Sequence, residues 1–589
     1  RDNVILKDRP LLLDCKLDEL QEDINIYVDQ YAKRVLDCKI DYAINVSPYN
    51  ADCNDMHSGE LNILYRAFRE VYANPTDTNL TMVLYRYLIA RTHIRKVLVQ
   101  SDGMVGFGNF MRYECLKDLL IDNYPDYKRL MIRMPYHEAT QHHVNYIETR
   151  IAPKKHYEDL KKAFLETIKC GKDKHGNSHN SLKDFGIIYH FIKRADSGFL
   201  EGRERNFELR RMLKYQSKDM MRLRFHNRHA AQYFIGVDAA NTELDCRPEV
   251  FAQSFRYIRY KGSLKTNTDF DIATNNQSVH FTYHVGEDFY DMVDGLRAID
   301  EAINFLHLGV GDRLGHCLAL GTNAKFFYNK QHCTIPITRQ CLIDNCAWML
   351  MKAKTLNINL TPQLEQFLRM KFLQIGGTVY PTELLNIETY YMSMMLRGDN
   401  PSEGEEVVGG YVNDWHFFAH DTDLLISQCR NNKEAKKLYQ LYHYDEKVRL
   451  QGDKVVSFAV PQLYIDAVTE IQNSMMEEVD TKGLIIECCP SSNWKIGMID
   501  RYDEHPIFRF KAITNKVGGY NLSVTINTDD LGIFQTSLDY EYALLAAAAL
   551  KKKDSNGNKL YVKADVIKWL EDIRNNGEKY RFKRPCFDE

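Results

Sequence analysis

Val279-His280-Phe281-Thr282-Tyr283-His284-Val285-Gly286-Glu287 passes from an aromatic and β-branched run into an imidazole, a glycine and a carboxylate. The residues before His284 read as a buried strand, so His284 and Glu287 stand at its C-terminal end. Far along the chain, Leu522-Ser523-Val524-Thr525-Ile526 closes in the same way on Asn527-Thr528-Asp529-Asp530. In a β/α barrel the reactive groups sit at such strand ends.

The same pattern recurs outward from these two runs. From about His142 on, short β-branched runs alternate with longer amphipathic stretches, as repeated βα units do. Strands are expected over 144–151, 186–192, 232–237, 279–284, 312–317, 484–489 and 523–528, and one more near 52–57 would make eight. The expected fold is α/β, a (β/α)8 TIM barrel. The amphipathic stretch Leu17 to Leu36 predicts an N-terminal helical extension over residues 1–50. The first part of the barrel then spans 51–321, and the last part, with C-terminal helices, spans 483–589. Between strands 6 and 7, residues 322–482 far exceed the roughly 30 residues of one βα step. A mainly helical insertion is expected there, with helices over 361–372, 432–444 and 461–479. Tyr390, Tyr391, Met394 and Met395 read as its core.

Bulk composition narrows the class. A chain of 589 residues exceeds what one hydrophobic core sustains, so additions or further domains are required. The hydrophobic fraction of 44% and charged fraction of 27% are those of a globular protein. The longest apolar run, Tyr542 to Leu550, falls well short of the about 20 residues that cross a bilayer. No secretory signal pattern is seen, and a cytoplasmic location is expected. The fourteen Cys match no zinc-knuckle spacing and read as reduced core residues. A net charge of −3 argues against a dedicated nucleic-acid binder.

A neutral imidazole, a carboxylate three residues on and carboxylates on another strand form a metal-plus-base constellation. His284 and Asp529 would bind a divalent metal from two sides, and Glu287 would move protons. Taken singly, His284 reads as a core or capping histidine and Asp529-Asp530 as a helix N-terminus.

Order joins these pieces. His284-Val-Gly-Glu287, Arg313-Leu-Gly-His316, Glu487-Cys-Cys-Pro-Ser-Ser-Asn493, His505-Pro506 and Asn527-Thr-Asp529-Asp530 succeed one another as in the adenosine/AMP deaminase family of metal-dependent hydrolases, which this chain resembles. Val144-Asn-Tyr-Ile-Glu148-Thr-Arg150 and Gly236-Val-Asp238-Ala-Ala-Asn-Thr-Glu243 resemble the family's second and fourth strands. The resemblance implies an adenosine deaminase-like hydrolase that uses Zn2+ to convert an adenine nucleoside or nucleotide to its inosine counterpart plus ammonia. It implies His284 and Asp529 as metal ligands, Glu287 as proton donor to the purine ring, His316 as the residue that orients the hydroxide, and Asp530 as a ring contact.

Departures from the family pattern accompany it. The family's first strand ends in Asp-x-His-x-His, and Asp55-Met56-His57-Ser58-Gly59 resembles that segment with about three residues removed, leaving His57 as its one metal ligand. Either those residues are missing from this sequence or the site is natively incomplete. Asn241 stands where the family has a glycine against the purine, and Leu531 where it has a proline. Between Lys193 and Arg228 there are eleven Lys/Arg against five Asp/Glu. Arg194, Arg203 and Arg205 there would suit a substrate's phosphates, as in ATP, or else form a solvated helix face.

The long insertion and large size resemble the deaminase component of the bacterial RADAR phage-defence system. That would imply anti-phage defence, a large homo-oligomer and a partner ATPase. Two other readings stand beside it: an RNA adenosine deaminase, which calls for a basic, aromatic-lined groove, and an inactive barrel serving as scaffold or sensor.

Overall fold

A computed structural model describes residues 59–100, 106–123, 131–136, 139, 144–172, 184–263, 279–399, 424–497, 499–514, 519–554 and 556–584. The strands in chain order are β1 (Tyr146–Ile151), β2 (Asp184–Ile192), β3 (Phe234–Ala240), β4 (His280–Val285), β5 (Arg313–His316), β6 (Thr334–Thr338), β7 (Val455–Ala459), β8 (Ile485–Cys488) and β9 (Val524–Ile526). Seven of them form one sheet in the order β1-β2-β3-β4-β5-β8-β9. Every neighbouring pair in that sheet is parallel.

Burial explains why these runs are nearly continuous in apolar residues. β5, β8 and β9 are wholly buried, and β3 and β4 nearly so, as strands covered on both faces must be. Helices supply the crossovers, among them Tyr157–Gly171 after β1, Phe207–His226 after β2, Ala252–Ser263 after β3 and Met292–Phe305 after β4. All seven described sheet strands fall on runs expected from the sequence. The eighth expected run, 52–57, lies outside the described residues, as does Leu17 to Leu36.

The insertion after β5 is built of helices with readable starts. Thr361 caps Pro362–Gly376 by accepting from Leu364 N at 3.3 Å, with proline in the first turn where its missing N–H costs nothing. Asn432 caps Lys433–Tyr444, accepting from Ala435 N at 2.9 Å. Tyr390, Tyr391, Met394 and Met395 are buried, as their pattern suggested. One element was not expected: β6 and β7 pair antiparallel, Thr334 opposite Ala459 and Thr338 opposite Val455. Pro336 hides the first of these strands in the sequence, and an edge position in a two-stranded ribbon is where proline is tolerated.

Buried charge fastens the insertion to the sheet's covering layer. Helix Met292–Phe305 carries Asp294, Arg297, Asp300 and Glu301, all buried. Insertion helix Arg339–Thr355 answers them: Trp348 Nε1 and Lys352 Nζ each donate to Asp300 at 2.7 Å, and Arg297 Nε donates to Asn345 Oδ1 at 3.0 Å. Asp344 on the same helix accepts from Arg397 Nη1 at 2.7 Å and Tyr390 Oη at 2.7 Å. Burial alone would raise the Asp344 pKa, but Arg397 and Arg297 beside it bring it down to about 2. Its stabilising contribution is therefore complete above the ordinary carboxylate range near 4 and is lost as pH falls toward 2. In denaturant titrations across pH, Asp344→Asn is expected to be less stable than the unsubstituted chain at neutral pH. The gap should narrow on acidification through that window, and a gap constant down to the lowest pH would refute the assignment.

The chain divides into two compact units. One holds the described residues as far as Asn145, with Lys172 and Asp530–Gln535; the other holds Tyr146–Gly171, Asp184–Asp529 and the residues from Thr536 on. The first unit holds helices Gly59–Ala73, Thr78–Leu98 and Phe107–Asn123, of which the first two pack through Ala67, Leu84 and Tyr87. Asp77 caps the second of these, accepting from Leu80 N at 3.0 Å.

Candidate functional site

β4 delivers His284 near its C-terminal end, and β3 delivers Asp238 beside it. The His284 Nδ1–H donates to Asp238 Oδ1 at 3.0 Å, which leaves Nε2 as the available lone pair of the neutral ring. Asp238 is completely buried and lies 2.9 Å from Arg150 Nε. Burial opposes its charge, yet His284 and Arg150 together hold its carboxyl below the usual range. Burial likewise opposes a proton on His284, and Asp238 overrules it, raising that pKa.

Beneath these residues runs a chain of alternating charge across the sheet. Arg150 Nη2 donates to Glu487 Oε2 at 2.7 Å, Arg313 Nε lies 2.9 Å from Glu487 Oε1, and Arg313 pairs in turn with Glu148. Thr282 Oγ also donates to Glu487, at 3.0 Å. The sequence carried a signal for this network. Charges at 148, 150, 238, 313 and 487 interrupt apolar strands, and buried charges require partners.

The turn after β4 places Glu287. Gly286 has φ +67°, a conformation glycine adopts freely, and an added Cβ would lie 2.8 Å from Ile299 Cδ1. Glu243 fixes the turn by accepting from Gly286 N at 2.7 Å and Glu287 N at 3.3 Å. The buried Lys193 donates to the His284 carbonyl and lies 4.4 Å from the Tyr283 ring centre. Glu287 is buried, and its Oε1 has no hydrogen-bond partner among the described residues. Burial, then the charges of Asp529 and Glu243, raise its pKa well above the carboxylate range, which favours the protonated form.

His316 closes β5 at φ +63°, its ring centre 4.8 Å from that of His284 and its Nδ1 3.4 Å from Glu287 Oε1. Its proton is fixed by Asn493. The Asn493 Oδ1 faces Cys489 N–H at 3.2 Å and His505 Nε2 at 3.0 Å, while the Asn493 Nδ2 faces His316 Nδ1 at 2.8 Å. Ile507 N donates to His505 Nδ1 at 3.0 Å, so neutral His505 carries its proton on Nε2 and donates to Asn493. The amide cannot be turned over without setting its NH2 against the Cys489 N–H. Asn493 therefore donates to His316 Nδ1. Burial above all drives the His316 pKa well down, and the neutral ring keeps its proton on Nε2.

Asp529 follows β9 at φ +57° and accepts from Ser492 Oγ at 2.6 Å. Ligand atoms of His316, Cys489 and Asp529 lie within 4.8 Å of one another. Cys489, expected only as a core residue, thus stands inside the site. His284 backed by a carboxylate, together with Asp529, is a donor set suited to a divalent metal. The remaining expected ligand, His57, lies outside the described residues.

The structure brings together His284, Glu287, His316 and Asp529. Asp530 belongs to the other unit, where it caps Leu531–Phe534 by accepting from Gly532 N at 2.9 Å and Ile533 N at 3.0 Å. Lys117 Nζ lies 3.7 Å from its Oδ2. Asn241 has φ +93°, the region glycine favours, and its Oδ1 accepts from Thr242 N at 2.8 Å. Arg194 and Arg203 are exposed, Arg203 lying 4.6 Å from the Phe207 ring centre. Arg205 is engaged by the insertion, where its Nε donates to the Tyr442 carbonyl at 2.6 Å. Asp238, Arg150, Glu243 and Asn493 hold the site together, although their motifs carried no assigned role in the sequence reading.

Comparison with known proteins finds partial matches. Residues 465–570 match the family model described as adenosine deaminase, a segment that contains Glu487, Cys489, Asn493, His505, Asp529 and Asp530. An adenine deaminase of Mesorhizobium japonicum is 34% identical over 80 residues, covering 13% of this chain and 22% of that protein. One of Rhizobium leguminosarum is 38% identical over 66 residues, covering 11% of this chain and 18% of that protein. The chain thus spans about a fifth of the length of the curated relatives it matches. A solved adenine deaminase from Arthrobacter aurescens aligns over 86% of this chain and 93% of its own at 10% identity, with a TM-score of 0.34.

Proposed function

We propose that the protein is a metal-dependent hydrolase that deaminates an adenine compound at the cluster of His284, Glu287, His316 and Asp529. The observation that carries this reading is the buried Glu287 carboxyl, set beside His316 with an oxygen that has no hydrogen-bond partner among the described residues, where burial and acidic neighbours favour the protonated form. Hydrolytic deamination needs such an acid: protonating ring N1 makes C6 electrophilic, the oxygen of water bonds to C6, and the amino nitrogen leaves as ammonia. His316 presents Nε2–H and orients the oxygen nucleophile by donating to it. Asp529, a carboxylate, accepts the proton that the water gives up. His284 and Asp529, with His57, would hold a zinc ion, whose chemistry when bound is to lower the pKa of water from 15.7 to about 7. Asp530 is assigned the ring contact, and Asn241 the edge of the base, through the family resemblance.

The substrate proposed is an adenine nucleoside or nucleotide, with Arg194 and Arg203 available to phosphates such as those of ATP. A closed (β/α)8 barrel of eight strands is proposed, from the seven parallel strands described and the family resemblance. A cytoplasmic homo-oligomer with a partner ATPase, acting in anti-phage defence, is proposed from the resemblance in size and insertion. No helix among the described residues is long and apolar enough to cross a membrane.

Incubation with adenine, adenosine, AMP, ATP and an adenosine-containing RNA, following the absorbance change from adenine to hypoxanthine, tests the reading. Conversion of one of these is expected; protein that carries metal and converts none would overturn it. A narrower expectation concerns the proton on His316. Asn493→Asp places an acceptor opposite Nδ1 and draws the proton there from Nε2. It should lower kcat roughly 10- to 100-fold, the usual cost of losing such a supporting partner, with KM little changed. A fall in kcat/KM that came wholly from KM would count against the tautomer argument.

A further inference from the structure

Arg205, singled out in the sequence as a phosphate-binding candidate, turns toward the insertion. Its guanidinium lies 4.4 Å from the ring centre of Tyr442, and the Arg397 guanidinium lies 3.7 Å from the same centre. Next to Tyr442 on helix Lys433–Tyr444, His443 is completely buried, with no hydrogen-bond partner at either ring nitrogen among the described residues. Arg449, on the following helix Glu446–Gly452, pairs with Asp196 in the segment after β2. Asp196 also accepts from Asn206 N at 2.9 Å, so Arg449 and Asn206 converge on one carboxylate.

What distinguishes this junction is its supply of unused buried donors. Arg205 Nη2, Arg449 Nη1, Arg397 Nε and Asn206 Nδ2 are all buried without a hydrogen-bond partner among the described residues, as are the two ring nitrogens of His443. Buried donors left unpaired are unfavourable and rare. The nearby carboxylates are already engaged, Asp196 by Arg449, Asp344 by Arg397, Glu249 by Arg210, and Asp453 by Arg205, whose Nη1 lies 3.7 Å from Asp453 Oδ1. The positive field is felt at His443, where burial first, then Arg210, Arg205, Arg397 and Arg449, depress the imidazole pKa well below its ordinary value. A tetrahedral oxyanion with several acceptor oxygens and negative charge is the ligand such donors suit, because guanidinium N–H groups match it in charge and fork geometry.

We propose that the junction between the segment after β2 and helices Lys433–Tyr444 and Glu446–Gly452 binds a phosphate group through Arg205, Arg449 and Asn206. The site shares no residue with the His284–Asp529 cluster and does not depend on the reaction proposed there. Its ligand would bridge the sheet domain's loop to the insertion. The Arg205 and Arg449 side chains are only 11% and 7% exposed, which suits a single phosphate end, whether inorganic phosphate or the terminal group of a nucleotide.

Thermal unfolding of the full chain tests this, with inorganic phosphate or ATP added against a chloride control of equal ionic strength. Saturating phosphate should raise the midpoint by about 2 °C or more. In Arg449→Gln the concentration giving half the shift should rise about tenfold or more, the size expected for a lost charge-assisted contact. Asn206→Gly is the second variant. It removes a donor from a residue at φ +59°, where glycine is at ease, and so leaves folding intact. Here the half-shift concentration should rise roughly threefold. A shift with ATP alone that both variants weaken assigns the site to a nucleotide's terminal phosphate and upholds it. No shift beyond the chloride control, or a shift that both variants leave unchanged, overturns the proposal.

Discussion

Glu287→Gln is expected to lower deamination about 10²- to 10⁴-fold, the usual contribution of a positioned general acid. Bound metal and the thermal midpoint should stay as they are. Gln keeps the volume and hydrogen-bonding capacity of the protonated side chain and removes its acidic proton. No proposed ligand is touched, and Glu243 still holds the main-chain N–H groups of Gly286 and Glu287 in place. Steady-state kinetics with metal analysis on the same preparation check this. Loss of metal in the variant would mean that Glu287 belongs to the ligand set, and undiminished turnover would remove it from the proton path.

Arg150→Met is expected to cost about 3–5 kcal/mol of stability, because removing one partner of a buried pair leaves uncompensated charge behind. Arg150 serves two carboxylates, Asp238 and Glu487, and both are almost fully enclosed. Arg313 would still neutralise Glu487, while Asp238 would keep His284 and the Ala239 N–H but lose its guanidinium. Denaturant unfolding measures the loss. Since Asp238 orients His284, metal affinity should fall along with stability. A variant as stable as the unsubstituted chain would show that the charges across the sheet are solvated separately rather than linked.

Strand runs were legible because strands buried on both faces need apolar residues throughout, and β3, β4, β5, β8 and β9 obey that rule. The ribbon β6–β7 was not, because five-residue strands with a proline give too little pattern to separate from loop. His284, Glu287, His316 and Asp529 could be named from motif order, yet what sets their protonation could not. Asn493 governs the His316 tautomer through a contact 177 residues away in the chain, and Asp238 governs His284 from 46 residues away. Neither distance leaves a local mark in the sequence. Arg205 shows the opposite limit: a basic stretch predicts charge, while the direction a guanidinium takes depends on Tyr442, far along the chain.

The most direct test of the central claim is to run the reaction in water enriched in heavy oxygen and weigh the product. Hydrolytic deamination at this cluster requires the heavy oxygen at C6 of the hypoxanthine ring, with one ammonia released per turnover and neither event in Glu287→Gln. An adenine compound returned unchanged by metal-loaded protein, or a product without solvent oxygen, would contradict it.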